Sequence, residues 1–439
     1  MIERLFKIGA AGSDVRTEVL GGVTTFMTMA YIVFVNPAVL SMAGMDFGAV
    51  MTATCISAAV ATFAMGLLAN YPIALAPAMG ENFFFLTVVT GMAVSWQIAL
   101  AAVFVSGVVF FLLTFLRIRE MIIDAVPASL KHAIAVGIGI FIAVIGLVGA
   151  GVVERPEGAG IVHLGDLTRT PTLVALAGLL ATTALMARRV KGAILIGILF
   201  TSILAWALGL VAWQGLVAAP PSLAPTFLAF DLRGLLEAAM FPIVVIFLFM
   251  AVFDAIGTLI GIGEQAGFMK DGHLPRATRA LVADSAGTVV GAALGTSTVT
   301  AYIESATGVQ AGARTGLANL VTGALFVVAL FFSPLVRMIG GGVEVAGGAS
   351  LQPMTAPALI VVGCLMAGNI RRIEWTELTE AFPAFLVTIG IPFSWSIADG
   401  IAFGFIAYPA LKLLTGRPRE CSVLVYALGL LFVARYALL

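Results

Sequence analysis

The sequence predicts an all-α polytopic membrane protein of about fourteen transmembrane segments, and three observations carry that prediction. The chain is 61% hydrophobic and only 10% charged, whereas a soluble domain carries roughly 25% charged residues. Mean hydropathy is +1.11. Apolar runs such as VLGGVTTFMTMAYIVFVNPAVL at 19–40 and IALAAVFVSGVVFFLLTFL at 98–116 recur down the whole chain, each long enough to cross roughly 30 Å of hydrocarbon as a helix. A membrane barrel would show short alternating strands instead, and lipid-facing backbone leaves only those two choices.

The first segment, 19–40, follows a charged N-terminus without a signal-peptide cleavage pattern, so it is retained, and the NPA at 36–38 ends it. A water channel would need a second such tripeptide, and the chain has one. Apolar runs place the next segments at 50–69, 73–90, 97–116, 127–149, 171–187 and 192–213. The second half gives 238–262, 281–295, 297–310, 314–336, 353–370, 376–394 and 398–415. A last apolar stretch, 421–438, reads either as a short extra span or as an interfacial helix. Cys55, Cys364 and Cys421 fall in apolar runs without metal-type spacing and read as packing residues.

Net charge is zero, so no nucleic acid or other polyanion is expected as a partner. The position of the charges says more. With the N-terminus in the cytoplasm, the loops on that side hold eighteen Lys and Arg, among them Arg16, Arg117, Arg188, Arg276, Arg314, Arg371 and Arg417. The opposite side holds four: Arg155, Arg169, Arg233 and Arg337. This asymmetry predicts a multi-pass protein of the cell (inner) membrane with a cytoplasmic N-terminus. His132, His163 and His273 fall in loops and read as solvated, and no nucleophile–base pair, metal-ligand cluster or cofactor motif appears, so the chain is not expected to be an enzyme.

Fourteen segments divide into two sevens, and an odd number per half forces opposite orientations, the inverted-repeat plan of many secondary transporters. PASLKHAIAVGIG from Pro127 and PMTAPALIVVGCL from Pro353 align in their Pro, Ile-x-Val and Gly positions. The third segment of each half is interrupted. In PIALAPAMGENFFFLTVVTG, Pro77 lacks a donor and biases Ala76 toward an extended form, so a short helix starts near Asn82. In GTSTVTAYIESATGV the β-branched run 296–300 favours extended backbone, with a half helix after it. Such pieces are tolerated at membrane depth only if another segment satisfies them, so the two are expected to pair and to aim their helix N-termini at a shared pocket. The competing reading is that Gly80, Gly295 and Gly308 only permit close packing, which leaves Glu81, Asn82 and Glu304 unexplained. Asp254, with Thr258 one turn later, adds a further acid inside an apolar segment. Asp254, Thr258, Glu304 and Asn82 make a set of donors and acceptors suited to a neutral heterocycle. Glu81, Phe83 and Ser305 adjoin them, and Thr24, Thr25 and Thr28 either face the pocket or bond their own helix.

The run from NPAVLSMAG to APAMGENFFF, with FDAIGTLIG and GTSTVTAYIESATGV, resembles the AzgA-like purine permeases of the nucleobase–cation symporter-2 (nucleobase/ascorbate transporter) family, nearly end to end. The resemblance implies a core domain from 19–116 and 238–336 and a gate domain from 127–213 and 353–415. It implies proton-coupled uptake of hypoxanthine, adenine or guanine, often by a homodimer, without a cofactor or metal. It also implies that Asn82, Asp254 and Glu304 contribute to the substrate site. Carrying a charge through a closed apolar pocket is costly, so Asp254, with Glu304 as the next candidate, is expected to take the coupling proton. Related uracil and xanthine carriers have Glu at the position of Asp254, so Asp254 with Thr258 favours purines; Glu81 departs from the apolar residue of many members. The alternative is a symporter of the same fold for uracil, xanthine or an inorganic anion such as sulfate, although pocket acids would repel an anion.

Overall fold

The computed structural model describes residues 2–115, 126–154, 162–236, 240–269, 274–345 and 350–438. Among the expected loop residues, Arg117, Arg119, Arg155, Lys270 and His273 lie outside them. The first half comprises α1 (Val15–Met29), α2 (Ile32–Met42), α3 (Phe47–Ala64), β1 (Leu75–Pro77), α4 (Met79–Gly91), α5 (Trp96–Phe115), α6 (Ala128–Gly149), α7 (Thr170–Ala187) and α8 (Ala193–Ala207). The second comprises α9 (Phe241–Gln265), α10 (Ala277–Leu294), β2 (Val299–Ala301), α11 (Ser305–Gln310), α12 (Leu317–Ala329), α13 (Ser333–Gly340), α14 (Ala356–Ala367), α15 (Leu378–Ser394), α16 (Ile397–Leu414) and α17 (Val423–Leu438). Among the described residues eight helical runs are long and apolar enough to cross a membrane, and α8, α15 and part of α17 are shorter apolar helices.

Local chemistry sets the ends. Asp14 and Asp46 cap α1 and α3 by accepting from Thr17 N (2.9 Å) and Ala49 N (2.7 Å). Gly295, at φ 99°, closes α10 in the left-handed conformation and turns the chain toward β2, and a Cβ there would collide with Thr226. Two ends differ from expectation. The first segment starts earlier and breaks at Ala30 and Tyr31. Its NPA does not end it: Pro37 lies inside α2, which runs on to Met42, and Asn36 Nδ2 donates across the core to Thr54 Oγ1 (2.7 Å) and Thr296 Oγ1 (2.8 Å). Cys364 also departs from the packing reading, being exposed while Cys55 and Cys421 are buried.

The helices pack in two groups. In one, α12 packs on α1 and α3, α10 on α5 and α3, and α9 on α5; in the other, α6 packs on α14 and α15, α15 on α16, and α7 on α8 and α14. The aligned Pro-to-Gly stretches of α6 and α14 lie against each other, and a Cβ on Gly139 would sit 2.8 Å from Gly363 O. Few elements bridge the groups, among them α4 on α6 and α17 on α9. The closing stretch does not lie across the end of the bundle. It follows α16 antiparallel from end to end: Lys412 Nζ pairs with Glu420 at 2.8 Å, the Phe405 and Phe432 rings are 6.2 Å apart, and Tyr436 OH donates to Asp399 at 2.7 Å.

Candidate substrate site

Two interrupted segments meet in the first helix group, and every polar group of their extended backbone that faces protein has to be satisfied there. β1 and β2 pair antiparallel with Leu75 opposite Ala301 and Pro77 opposite Val299. Ala78 N donates to Thr298 O (2.8 Å) and Tyr302 N to Ala74 O (3.0 Å), extending the ladder at both ends. Side chains complete it. Thr62 Oγ1 accepts from Leu75 N (2.9 Å), Ser305 Oγ from Ala74 N (3.0 Å) and Asp284 from Ala301 N (2.9 Å). Thr288 donates to Val299 O (2.8 Å), Asn319 to Ile73 O (2.7 Å) and the Tyr302 hydroxyl to Pro77 O. The pairing expected from sequence is therefore present, and α4 starts at Met79, one turn earlier than Asn82, because the ladder ends at Ala78.

The acids gather around this crossing. Glu304 sits at the residue before α11, half-buried, with Tyr31 OH donating to Oε1 at 2.7 Å. The break between α1 and α2 is what delivers that tyrosine. Asp254, in the middle of α9, is close enough to Glu304 to interact with it electrostatically, as it is to Glu81. Asp254 is exposed and has no hydrogen-bond or ion-pair partner among the described residues. Gly257, Ile260 and Glu264, each about a turn apart on α9, are exposed with it, as are Ile303 and Gln310 beside α11. Asp254 therefore shares an exposed stripe of α9 that runs toward the helix's C-terminal end at Gln265.

Not all seven candidate residues play the same part. Asn82 is fully buried; its Oδ1 accepts from Ser297 Oγ, and its Nδ2 has no partner among the described residues. Glu81 is buried, and its Oε1 has no partner among the described residues. Thr258 is buried one turn from Asp254. Phe83 is fully buried and packs edge-on against Phe141 of the other helix group, at 6.4 Å between centroids. Ser305 spends its hydroxyl on the strand ladder, so these two support the site mechanically. Thr24 bonds the Leu20 carbonyl of its own helix (2.8 Å), whereas Thr28, besides the Thr25 carbonyl (2.8 Å), shares a hydrogen bond with Thr307 Oγ1 of α11 (3.0 Å). Gly308 does serve packing, since a Cβ there would meet Thr25 Oγ1 and Gly21 O, and this leaves the acids to be explained separately.

Sequence reading missed Asp284, Tyr31 and Glu18. Asp284 is fully buried in α10 and accepts from Thr300 (3.1 Å) and Ala301 N, while its Oδ1 has no partner among the described residues. Its signal was an acid within the small-residue run ADSAGTVVG. Glu18 is buried and caps the turn between α11 and α12 through Arg314 N (2.8 Å) and Thr315 N (3.2 Å). Such a set of acids, free amide and hydroxyl groups can exchange hydrogen bonds with the edge of a polar ligand and can hold protons, but it offers no activated nucleophile.

A model described as a permease family, Xan_ur_permease, matches residues 16–403. The adenine permease AdeP of Escherichia coli (strain K12) is 43% identical over 438 residues, covering 99% of this chain and 96% of that protein. The guanine/hypoxanthine permease PbuG of Bacillus subtilis (strain 168) is 42% identical over 451 residues, with 100% of both covered. Among solved structures, the transmembrane domain of a cyanobacterial bicarbonate transporter, BicA, superposes with a TM-score of 0.60 at 16% identity, over 89% of this chain and 97% of that one. Murine Slc26a9, an anion transporter in the inward-facing state, gives 0.63 at 11% identity over 91% and 68%. These structures share the transporter fold, and the chain belongs to the permease family, as its motif resemblance to the purine permeases of the nucleobase/ascorbate transporter family implied.

Proposed function

We propose that this permease is a secondary transporter that takes up purine nucleobases (hypoxanthine, adenine, guanine) with protons across the cell (inner) membrane. The observation that carries the reading is Glu304, held by Tyr31 at the start of one half helix and near enough to Asp254 to interact with it electrostatically, while the other half helix carries Asn82, whose Nδ2 has no partner among the described residues. Carboxylate acceptors suit ring N–H groups and the amide Nδ2 suits a ring nitrogen or carbonyl, which together describe a purine edge. The names of the relatives AdeP and PbuG support this substrate class. The first helix group acts as the substrate-carrying core (19–116 and 238–336) and the second as the gate (127–213 and 353–415), in a plan of fourteen segments with the N-terminus in the cytoplasm. The exposed stripe from Asp254 to the C-terminal end of α9 then corresponds to an inward-open state. A homodimer is included in the proposal. The solved neighbours whose titles name bicarbonate and anions share the fold, but unpaired acids in the pocket disfavour an anion.

Thermal stabilisation of the detergent-solubilised carrier separates the readings. Hypoxanthine should raise the unfolding temperature and sulfate should leave it unchanged; stabilisation by sulfate or uracil alone would refute the purine assignment. Asn82→Ala is expected to change which purines compete, by about 1–3 kcal/mol for the lost polar partner. Competition uptake of adenine against hypoxanthine checks this, and an unchanged competition order would return Asn82 to packing.

A further inference from the structure

A second cavity, of about 470 Å³, lies at the face opposite the N-terminus and shares no lining residue with the acids just described. Its size falls within the roughly 300–1,000 Å³ of small-molecule sites. Ser41, Phe47 and Arg337 line it from the first helix group, and Ser350 and Gln352, which lead into α14, line it from the second. Arg337 is exposed, with no ion pair or hydrogen bond from its guanidinium among the described residues, although the protein keeps few cations on this face. Its guanidinium lies against the start of α3: a Cβ on Gly48 would sit 2.6 Å from Nη2 and 3.4 Å from Asp46 Oδ1. Gln352 Oε1 accepts from Thr355 at 3.1 Å, which leaves its Nε2 to donate. The wall therefore offers a planar fork of donors, an amide donor and an aromatic ring.

We propose that this cavity is an outer encounter site for 6-oxopurines, resting on the purine-uptake reading above. An arginine fork matches the adjacent O6 and N7 acceptors of hypoxanthine and guanine, whereas adenine presents an N6 amino donor beside N7 and repels the fork. Because the walls come from both helix groups, a bound base lies on the seam that must part to admit it. The site concentrates oxopurines there without contributing to the central pocket.

Initial uptake rates in proteoliposomes, measured against hypoxanthine and adenine concentration for the parent, Arg337→Ala and Arg337→Lys, test this. Both variants should raise KM for hypoxanthine about tenfold with little change in kcat, and leave KM for adenine within about twofold. Hypoxanthine-induced thermal stabilisation in detergent, which reads the central site, should stay as in the parent. Lysine keeps the charge and loses the fork, so a parent-like Arg337→Lys overturns the proposal in favour of plain charge attraction. Equal changes for adenine and hypoxanthine, or none, also overturn it. A parent that transports no purine at all refutes the function reading itself and this site with it.

Discussion

Glu304→Gln should lose hypoxanthine binding by about 10- to 150-fold, the equivalent of one charge-assisted hydrogen bond of roughly 1.5–3 kcal/mol, while the folded carrier persists in the membrane. The carboxylate accepts from Tyr31 and has capacity left for a ring N–H, because an ionised carboxyl has two oxygens with about four acceptor positions. Gln keeps the shape and an acceptor for Tyr31 but puts an NH₂ where the second acceptor was, and that group faces the donor edge of the base. Equilibrium binding of labelled hypoxanthine to purified protein measures the loss. Normal affinity in Glu304→Gln would remove Glu304 from the site.

The second large effect concerns coupling. Asp254→Asn should retain exchange of purine across the membrane and lose accumulation driven by a pH gradient. A charge carried through a closed, water-poor pocket is costly, so an acid there has to be neutralised before the pocket shuts around a neutral base. Asp254 is suited to this because it is exposed and has no hydrogen-bond or ion-pair partner among the described residues, whereas Glu304 is engaged by Tyr31. Asn mimics the protonated form permanently. Proteoliposomes compare counterflow with uphill uptake under an acid-outside gradient. Uphill uptake equal to the parent's would move the proton site to Glu304 or Glu81, the latter buried with an oxygen that has no partner among the described residues.

Much of this site was legible because membrane burial makes a polar residue conspicuous. Pro77 and the β-branched run 296–300 announced extended backbone in a medium that forbids it unpaired, so the meeting of β1 and β2 followed from accounting for hydrogen bonds. Asp254, Asn82 and Glu304 stood out for the same reason. What stayed hidden depends on contacts between distant segments. Tyr31 reads as an ordinary apolar-helix residue until the break at Ala30 points it at Glu304, 273 positions away. Asn36 reads as the helix-ending half of an NPA until Thr296 is seen beside it. Asp284 was lost among small residues whose low hydropathy made the segment look weakly polar throughout. The path of α17 was undecidable from an apolar stretch of its length, since ion and aromatic pairs with α16 decide it.

Counterflow tests most directly whether a purine occupies the pocket between the half helices. Proteoliposomes holding the parent protein and loaded with unlabelled hypoxanthine should take up labelled hypoxanthine transiently and saturably, with adenine and guanine competing and sulfate or bicarbonate without effect. Exchange of sulfate or bicarbonate that no purine competes with would contradict that occupancy.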